Sequence, residues 1–194
     1  MPILTTIDTN CIVDLEEIGP RSNEVRAVLS AHGSKLTVRI PGISASEKTQ
    51  TGGSLPNFSL FEERLKGLGL GHLEILKPMA YWDVGFWDQA VFPTAAMRAL
   101  EKKIHAVLFP NMALNWSDYA KAAKIDVNGA LDWKWRNAKC DVQALWCHIR
   151  YGGKWFITSD RNFLKATKSK TLQALGAGAI MTPAQAVKAL KGAT

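Results

Sequence analysis

No stretch of this sequence approaches the ~18–20 consecutive apolar residues that a bilayer-crossing helix requires, so a helical membrane protein is excluded. A basic n-region and a small-residue cleavage site are both missing ahead of the first β-type run, and the expected location is therefore the cytoplasm. Cysteine is scarce. Cys11, Cys140 and Cys147 are odd in number and lack C-x-x-C spacing, which argues against a disulfide framework and against a structural zinc site. His32, His72, His105 and His148 are scattered, with no H-x-H or H-E-x-x-H pattern. Any metal would have to be held by oxygen, which selects a hard ion such as Mg²⁺ or Mn²⁺. Acids are also nearly missing from one region: residues 133–194 carry eleven Lys/Arg against only Asp141 and Asp160.

What is present is ordinary globular material, 194 residues with 47% hydrophobic and 21% charged side chains. That length suits a single domain spanning 1–194, or one with a sizeable insertion. The net charge is +7, and the basic C-terminal third implies a polyanionic partner, nucleic acid before membrane. A solvated basic face with no partner is the plainer alternative.

The hydrophobic pattern alternates strands with helices. Ile3–Ile7 reads as a buried strand followed by a turn at Asp8-Thr9-Asn10. Pro20 opens a helical stretch through Val25, Val28 and Leu29, and Leu36, Val38 and Ile40 mark a second strand before Pro41-Gly42. Thr49–Pro56 reads as a loop, Phe58–Leu68 as a helix and Leu73–Leu76 as a strand. Trp82 to Lys124 reads as mostly helical, with breaks near Pro93 and Pro110, and Asn137–Tyr151 as a helix stopped by Gly152-Gly153. Lys154–Ser159 and Ala179–Met181 are the last strands, and Thr182-Pro183 opens the final helix. The expected fold class is α/β, a three-layer α/β/α sandwich with a central, mostly parallel sheet.

In open parallel sheets, ligands gather at the carboxyl ends of strands. Asp8 and Asp160 stand at two such ends, Asp141 near the start of the helix before the second, and Glu47 after the second strand. Each acid taken alone has a structural explanation. Asp8 suits an Asx-turn, Asp160 a helix cap, Asp141 the positive end of its helix dipole, and Glu47 a capping box with Ser44.

Together they form a longer pattern. A strand ends in Asp-Thr-Asn, an acid follows 39 residues on, N-x-x-x-D opens a helix, and Thr-Ser-Asp-Arg-Asn-Phe follows a strand 19 residues after that. Ile7-Asp8-Thr9-Asn10 and Phe156–Phe163, with Asp141 between them, resemble the PIN-domain nuclease family, which includes the VapC-type toxins. The resemblance covers residues 1–48 and 137–182. It implies a PIN-like sandwich and Mg²⁺- or Mn²⁺-dependent hydrolysis of RNA phosphodiesters by Asp8, Glu47, Asp141 and Asp160 as both metal ligands and catalytic acids. Asn10 and Ser159 match supporting polar positions, and Glu62 and Glu63 are rivals to Glu47. The toxin members add a small antitoxin protein as a partner, and a homodimer. Glu47 and Asp141 lie 94 residues apart, so a mostly helical elaboration at about 49–135 is expected.

Crowded carboxylates repel, and Mg²⁺ relieves that repulsion. The basic surface would attract the phosphates that the acids repel. Arg161, Lys134 and Arg136 are candidate RNA contacts, and Trp133-Lys134-Trp135-Arg136 interleaves aromatics with cations as a stacking surface would. Core or partner-facing packing explains that run equally well. Two other readings stand beside the nuclease: a catalytically silent PIN-type module binding RNA or protein, and a haloacid-dehalogenase-like phosphatase. The phosphatase needs a second Asp where this chain has Asn10.

Overall fold

Thr5, Thr6 and Ile7 are all buried, as a strand covered on both faces and flanked on both edges must be. They belong to β1 (Ile3–Ile7), the central strand of the computed structural model, which describes residues 1–47 and 55–192. The other strands are β2 (Leu36–Pro41), β3 (Glu74–Leu76), β4 (Trp155–Ile157) and β5 (Ala179–Met181). They form one all-parallel sheet in the order β3-β2-β1-β4-β5. Most of the loop expected at Thr49–Pro56 lies outside the described residues.

The helices are α1 (Thr9–Glu16), α2 (Ser22–Leu29), α3 (Phe58–Gly67), α4 (Ala95–Leu108), α5 (Trp116–Ala123), α6 (Trp133–Arg150), α7 (Arg161–Leu164), α8 (Ala166–Leu172) and α9 (Pro183–Gly192). Because successive strand residues point to opposite faces, each strand feeds two cores. Ile7, Val38, Ile40 and Ile157 pack against α1, α2, α3 and α9 through Ile12, Val28, Phe61 and Ala186. Phe156 faces the other way, into a core with Ile104 of α4, Leu145 and Trp146 of α6, and Leu172 of α8. The result is the expected three-layer α/β/α sandwich. Within 49–135, α3 and β3 build one edge of it, and the stretch from Lys77 to Asp132 adds α4 and α5 around α6.

Three local expectations are corrected. Asp8-Thr9-Asn10 is not a turn: Asp8 accepts a bond from the Thr9 N–H and starts α1, whose Cys11, Ile12 and Leu15 line one buried face. Residues 82–93 are mostly irregular rather than helical, with one short turn at Trp87–Gln89 and a bridge between Met79 and Val91. The helix expected to open near Asn137 begins four residues earlier. Asp132 caps it, accepting from the Lys134 and Trp135 N–H groups at 2.9 and 3.2 Å.

One buried contact ties α6 to the sheet. The His148 Nε2–H donates to the Ala177 carbonyl at 2.8 Å, so Nδ1 accepts from the Thr6 hydroxyl at 2.9 Å and the ring is neutral. Gly153 is required beside it, because a Cβ there would lie 2.2 Å from the ring. Burial, reinforced by the Arg39 charge, lowers the His148 pKa to about 4. An unfolded histidine titrates near 6.5, so between these values the unfolded chain holds a proton that the folded chain does not. The stabilisation is present in full above pH 6.5 and is lost as pH falls toward 4. The stability gap between wild type and His148→Gln should therefore shrink by about 2 kcal/mol between pH 7 and pH 4.5 in urea unfolding. An unchanged gap would contradict the neutral, buried assignment.

Candidate active site

The chain leaves β1 toward β2 on one side and returns to β4 on the other, so the two halves of the sheet part at the carboxyl ends of β1 and β4. Such a switch point leaves a crevice that no crossover connection fills. Asp8 follows β1 directly and its N–H donates to the Ile157 carbonyl at 2.9 Å, continuing the ladder and fixing the acid at that crevice. Its side chain is buried. Oδ1 accepts from the Thr9 N–H at 2.9 Å, and Oδ2 accepts from the Thr158 hydroxyl at 2.7 Å.

Thr158 organises both strand ends. Besides donating to Asp8, its oxygen accepts from Asn10 Nδ2 at 3.1 Å and from the Asp160 N–H at 3.0 Å. Asn10 closes the loop by accepting from the Ser159 N–H at 3.2 Å. The Ser159 hydroxyl donates toward Asp14, which is ion-paired with Arg21 at 3.1 Å. The Asn10 side chain thus ties the start of α1 to the backbone after β4, while the Ser159 side chain is directed to Asp14 instead of to Asp8 or Asp160. Asp160 does cap α7, with Oδ1 accepting from the Asn162 N–H at 2.7 Å, but its other oxygen has no partner among the described residues.

Glu47 arrives from the far side. The Pro41 end of β2 runs into a 3₁₀ turn at Gly42–Ser46, and Glu47 is the residue that ends it, so the capping-box reading with Ser44 does not hold. Instead the Thr9 hydroxyl lies 2.7 Å from Ser44 Oγ and bonds Glu47 Oε1. Asp141 lies in the third turn of α6, not near its start, so the helix dipole does not explain it. Half-buried, it has no hydrogen-bond or ion-pair partner among the described residues.

These four carboxylates interact electrostatically in every pairing. Burial is the leading cause of the shifts at Asp8, Glu47 and Asp141, and neighbouring acids add to it. Asp8 is raised to about 6, with Asp160 adding to the burial effect against the bonds from Thr158 and Thr9. Glu47 is raised to about 8 by burial and by Asp8 and Asp160, with Thr9 and Arg64 opposing. Asp141 is pushed well above the usual carboxylate range by burial, then by Glu47, Asp8 and Asp160. The opposing cation, Arg64, is already committed to a bidentate pair with Glu16. None of the four acids forms an ion pair among the described residues.

The rivals are not here. Glu62 and Glu63 are exposed on α3 and take no part in the cluster. Lys134 and Arg161 are exposed, as a phosphate contact requires. Arg136 is not available in the same way: its guanidinium bonds the carbonyls of Ser46, Asp83 and Val84 at 3.1, 3.0 and 3.5 Å. Lys139, another cation of the basic third, is fully buried against Glu101. Sequence reasoning passed over Thr9 and Thr158, the hydroxyls that hold Glu47 and Asp8. The signal was available in their position, each beside an acid at a strand end.

Donor chemistry suits a hard divalent ion, since every group is a carboxylate oxygen and Asp141 has no other use. Among the described residues, no three Asp, Glu, His or Cys side chains already stand at metal-ligand geometry. No protein family, curated protein or solved structure was found to match this chain. No helix among the described residues is long and apolar enough to cross a membrane.

Removing one repelling charge should stabilise the metal-free protein. Asp141→Asn should raise the melting temperature in EDTA at pH 8, where the wild-type acids are most fully ionised. It should also shrink the stabilisation that millimolar Mg²⁺ gives to the wild type. Thermal scans of both proteins with EDTA and with Mg²⁺ check this. A destabilised mutant with an undiminished Mg²⁺ response would place Asp141 outside the cluster.

Proposed function

We propose that this chain is a Mg²⁺- or Mn²⁺-dependent endoribonuclease of the PIN type. The observation that carries this reading is the set of four mutually interacting carboxylates, without ion-paired cations, at the crevice between β1 and β4. Repulsion of this kind costs free energy in the resting protein, and a divalent cation is the species that removes the cost. Asp8, Glu47, Asp141 and Asp160 would hold the ion. When bound, it supplies charge neutralisation and Lewis acidity toward a phosphodiester.

The chain's own residues do the rest. Thr158 and the Thr9 N–H fix both oxygens of Asp8, so this carboxylate contributes little reorganisation. Asp160 has one oxygen without a partner among the described residues while the other caps α7, which ties its position to a helix end. Exposed Arg161, Lys165 and Lys134 supply positive charge beside an acidic pit, drawing in a phosphate backbone that the acids alone would repel. The phosphatase reading has no support, because Asn10 spends its amide on Thr158 and Ser159. A toxin role would add a small antitoxin protein and a homodimer as partners; RNA cleavage requires neither.

Purified protein should cut single-stranded RNA in Mg²⁺ or Mn²⁺ and stop in EDTA. Asp160→Asn keeps a competent helix cap, since Asn caps about as well as Asp. It should nonetheless lose more than the roughly 10–100-fold typical of losing an outer-shell partner of a metal. Full cleavage by a folded Asp160→Asn would refute the assignment. RNA bound by the wild type but never cut, in any divalent ion, would leave a non-catalytic module.

Binding itself should be electrostatic. Raising salt from 50 to 200 mM should weaken affinity for single-stranded RNA by roughly three-hundredfold if about six phosphates are neutralised. A flat salt response would assign the basic face to something other than nucleic acid.

A further inference from the structure

Beside the carboxylates lies a second feature that the hydrolytic reading does not use. Tyr81, Trp82, Trp116 and Trp135 line a cavity of about 450 Å³, and Asn115 and Asn128 are also part of its lining. We propose that this cleft takes one unpaired base of the RNA strand whose backbone reaches the acids. The proposal rests on the ribonuclease reading for the identity of its ligand.

The cleft is a built site. Trp116 and Trp135 have their indole N–H groups already satisfied, by the carbonyls of Val127 at 2.8 Å and Ala113 at 3.1 Å. Their rings are thereby fixed, Trp116 stacked on Tyr119 and packed against the buried Trp135, so they form the floor of the cleft and Trp82 supplies its accessible ring. Beneath them is a buried polar network: Lys139 pairs with Glu101 at 2.9 Å, and Gln143 and the Tyr81 hydroxyl donate to the same carboxylate. The Lys139 ammonium lies 4.4 Å from the Tyr81 ring centre and 5.3 Å from that of Trp135. A buried ion pair contributes little net stability compared with apolar packing, so its consequence is best sought in what it orients. Here it orients two of the aromatic walls.

Trp82 is the exposed wall, 73% accessible, and the segment carrying it is held in a specific shape. Asp83 adopts a left-handed backbone at φ 56°, uncommon for a residue with a side chain, and Arg136 bonds its carbonyl. The same guanidinium bonds the carbonyl of Ser46, next to Glu47. One side chain thus joins the cleft wall to the turn that delivers an acid. α6 makes the connection a second time, since Trp135 and Asp141 are six residues apart, about 9 Å along the axis. One strand can span that distance.

A nucleobase matches the lining better than a protein side chain does. A flat π system stacks on indole and phenol faces, and side-chain amides in the lining can read its hydrogen-bonding edge. Exposed Lys134, next to Trp135, places positive charge near the phosphate that follows. Duplex RNA, with its bases stacked inside, has no free base to insert.

The test is an abasic scan. A fluorescein-labelled single-stranded RNA 10-mer, with one base removed at each position in turn, is titrated by anisotropy in Mg²⁺ against protein carrying Asp160→Asn to prevent cutting. One position should show an affinity loss of roughly five- to a hundredfold, and adding Trp82→Ala should abolish that position dependence. Trp82→Phe should restore it, which a merely structural role would not require, and a duplex competitor should not displace the strand. A flat scan, or unchanged affinity in Trp82→Ala, overturns the proposal while leaving cleavage by the acids untouched. A Trp82-dependent position in a wild-type protein that never cuts RNA would uphold the cleft and sink the nuclease reading. If Trp82→Ala dissociates a dimer in sedimentation while RNA affinity is unchanged, the face is a protein interface and the proposal falls.

Discussion

Four carboxylates that repel one another are the constraint around which the rest of this structure is arranged. Desolvation and mutual repulsion push Asp8, Glu47 and Asp141 above the ordinary carboxylate range. Such a cluster would fly apart if its members sat on flexible loops. Each is instead anchored by an element that the two cores hold rigid: Asp8 by the end of β1 and the start of α1, Asp160 by the end of β4 and the start of α7, Asp141 by the middle of α6, and Glu47 by the 3₁₀ turn after β2. The repulsion is stored in the scaffold, and the proposed cation would release it.

The sheet order makes that arrangement possible. Reversal of strand order between β1 and β4 opens a crevice, and Thr158 stitches its two lips through Asp8, Asn10 and the Asp160 N–H. The neutral His148 then pins α6, and with it Asp141, to β1 from beneath. Stability and site geometry are therefore coupled through the same strands. A change at Thr158 or His148 should be felt at the acids although neither residue is itself one of them.

Much of this was legible from the order of residue types. β1 and β4 follow from apolar runs that stop at or just before Asp8 and Asp160, and β2 from an alternating run that stops at Pro41-Gly42 ahead of Glu47; those short-range signals survive folding unchanged. The start of α1 was not legible as a helix because Asp-Thr-Asn serves a turn or an N-cap equally well, and only the buried Cys11, Ile12 and Leu15 face decides between them. Residues 82–93 carry enough apolar side chains to suggest a helix, yet tertiary packing of Tyr81, Val84 and Val91 against the α6 core overrides local preference. Glu47 was chosen over Glu62 and Glu63 by its distance from β2; its bond to Thr9 came only with the fold. Lys139 was counted as surface charge because nothing local distinguishes a solvated lysine from one buried against Glu101. Contacts between residues far apart in sequence account for every one of these losses.

The central claim is that the carboxylates share one divalent cation. Crystals of the protein soaked in Mn²⁺ and recorded near the manganese absorption edge test it most directly. The account predicts an anomalous peak in the crevice between β1 and β4, with oxygens of Asp8, Asp141 and Asp160 around it and Glu47 directly or through water. A clean map at that crevice, or manganese bound only elsewhere on the surface, would contradict it.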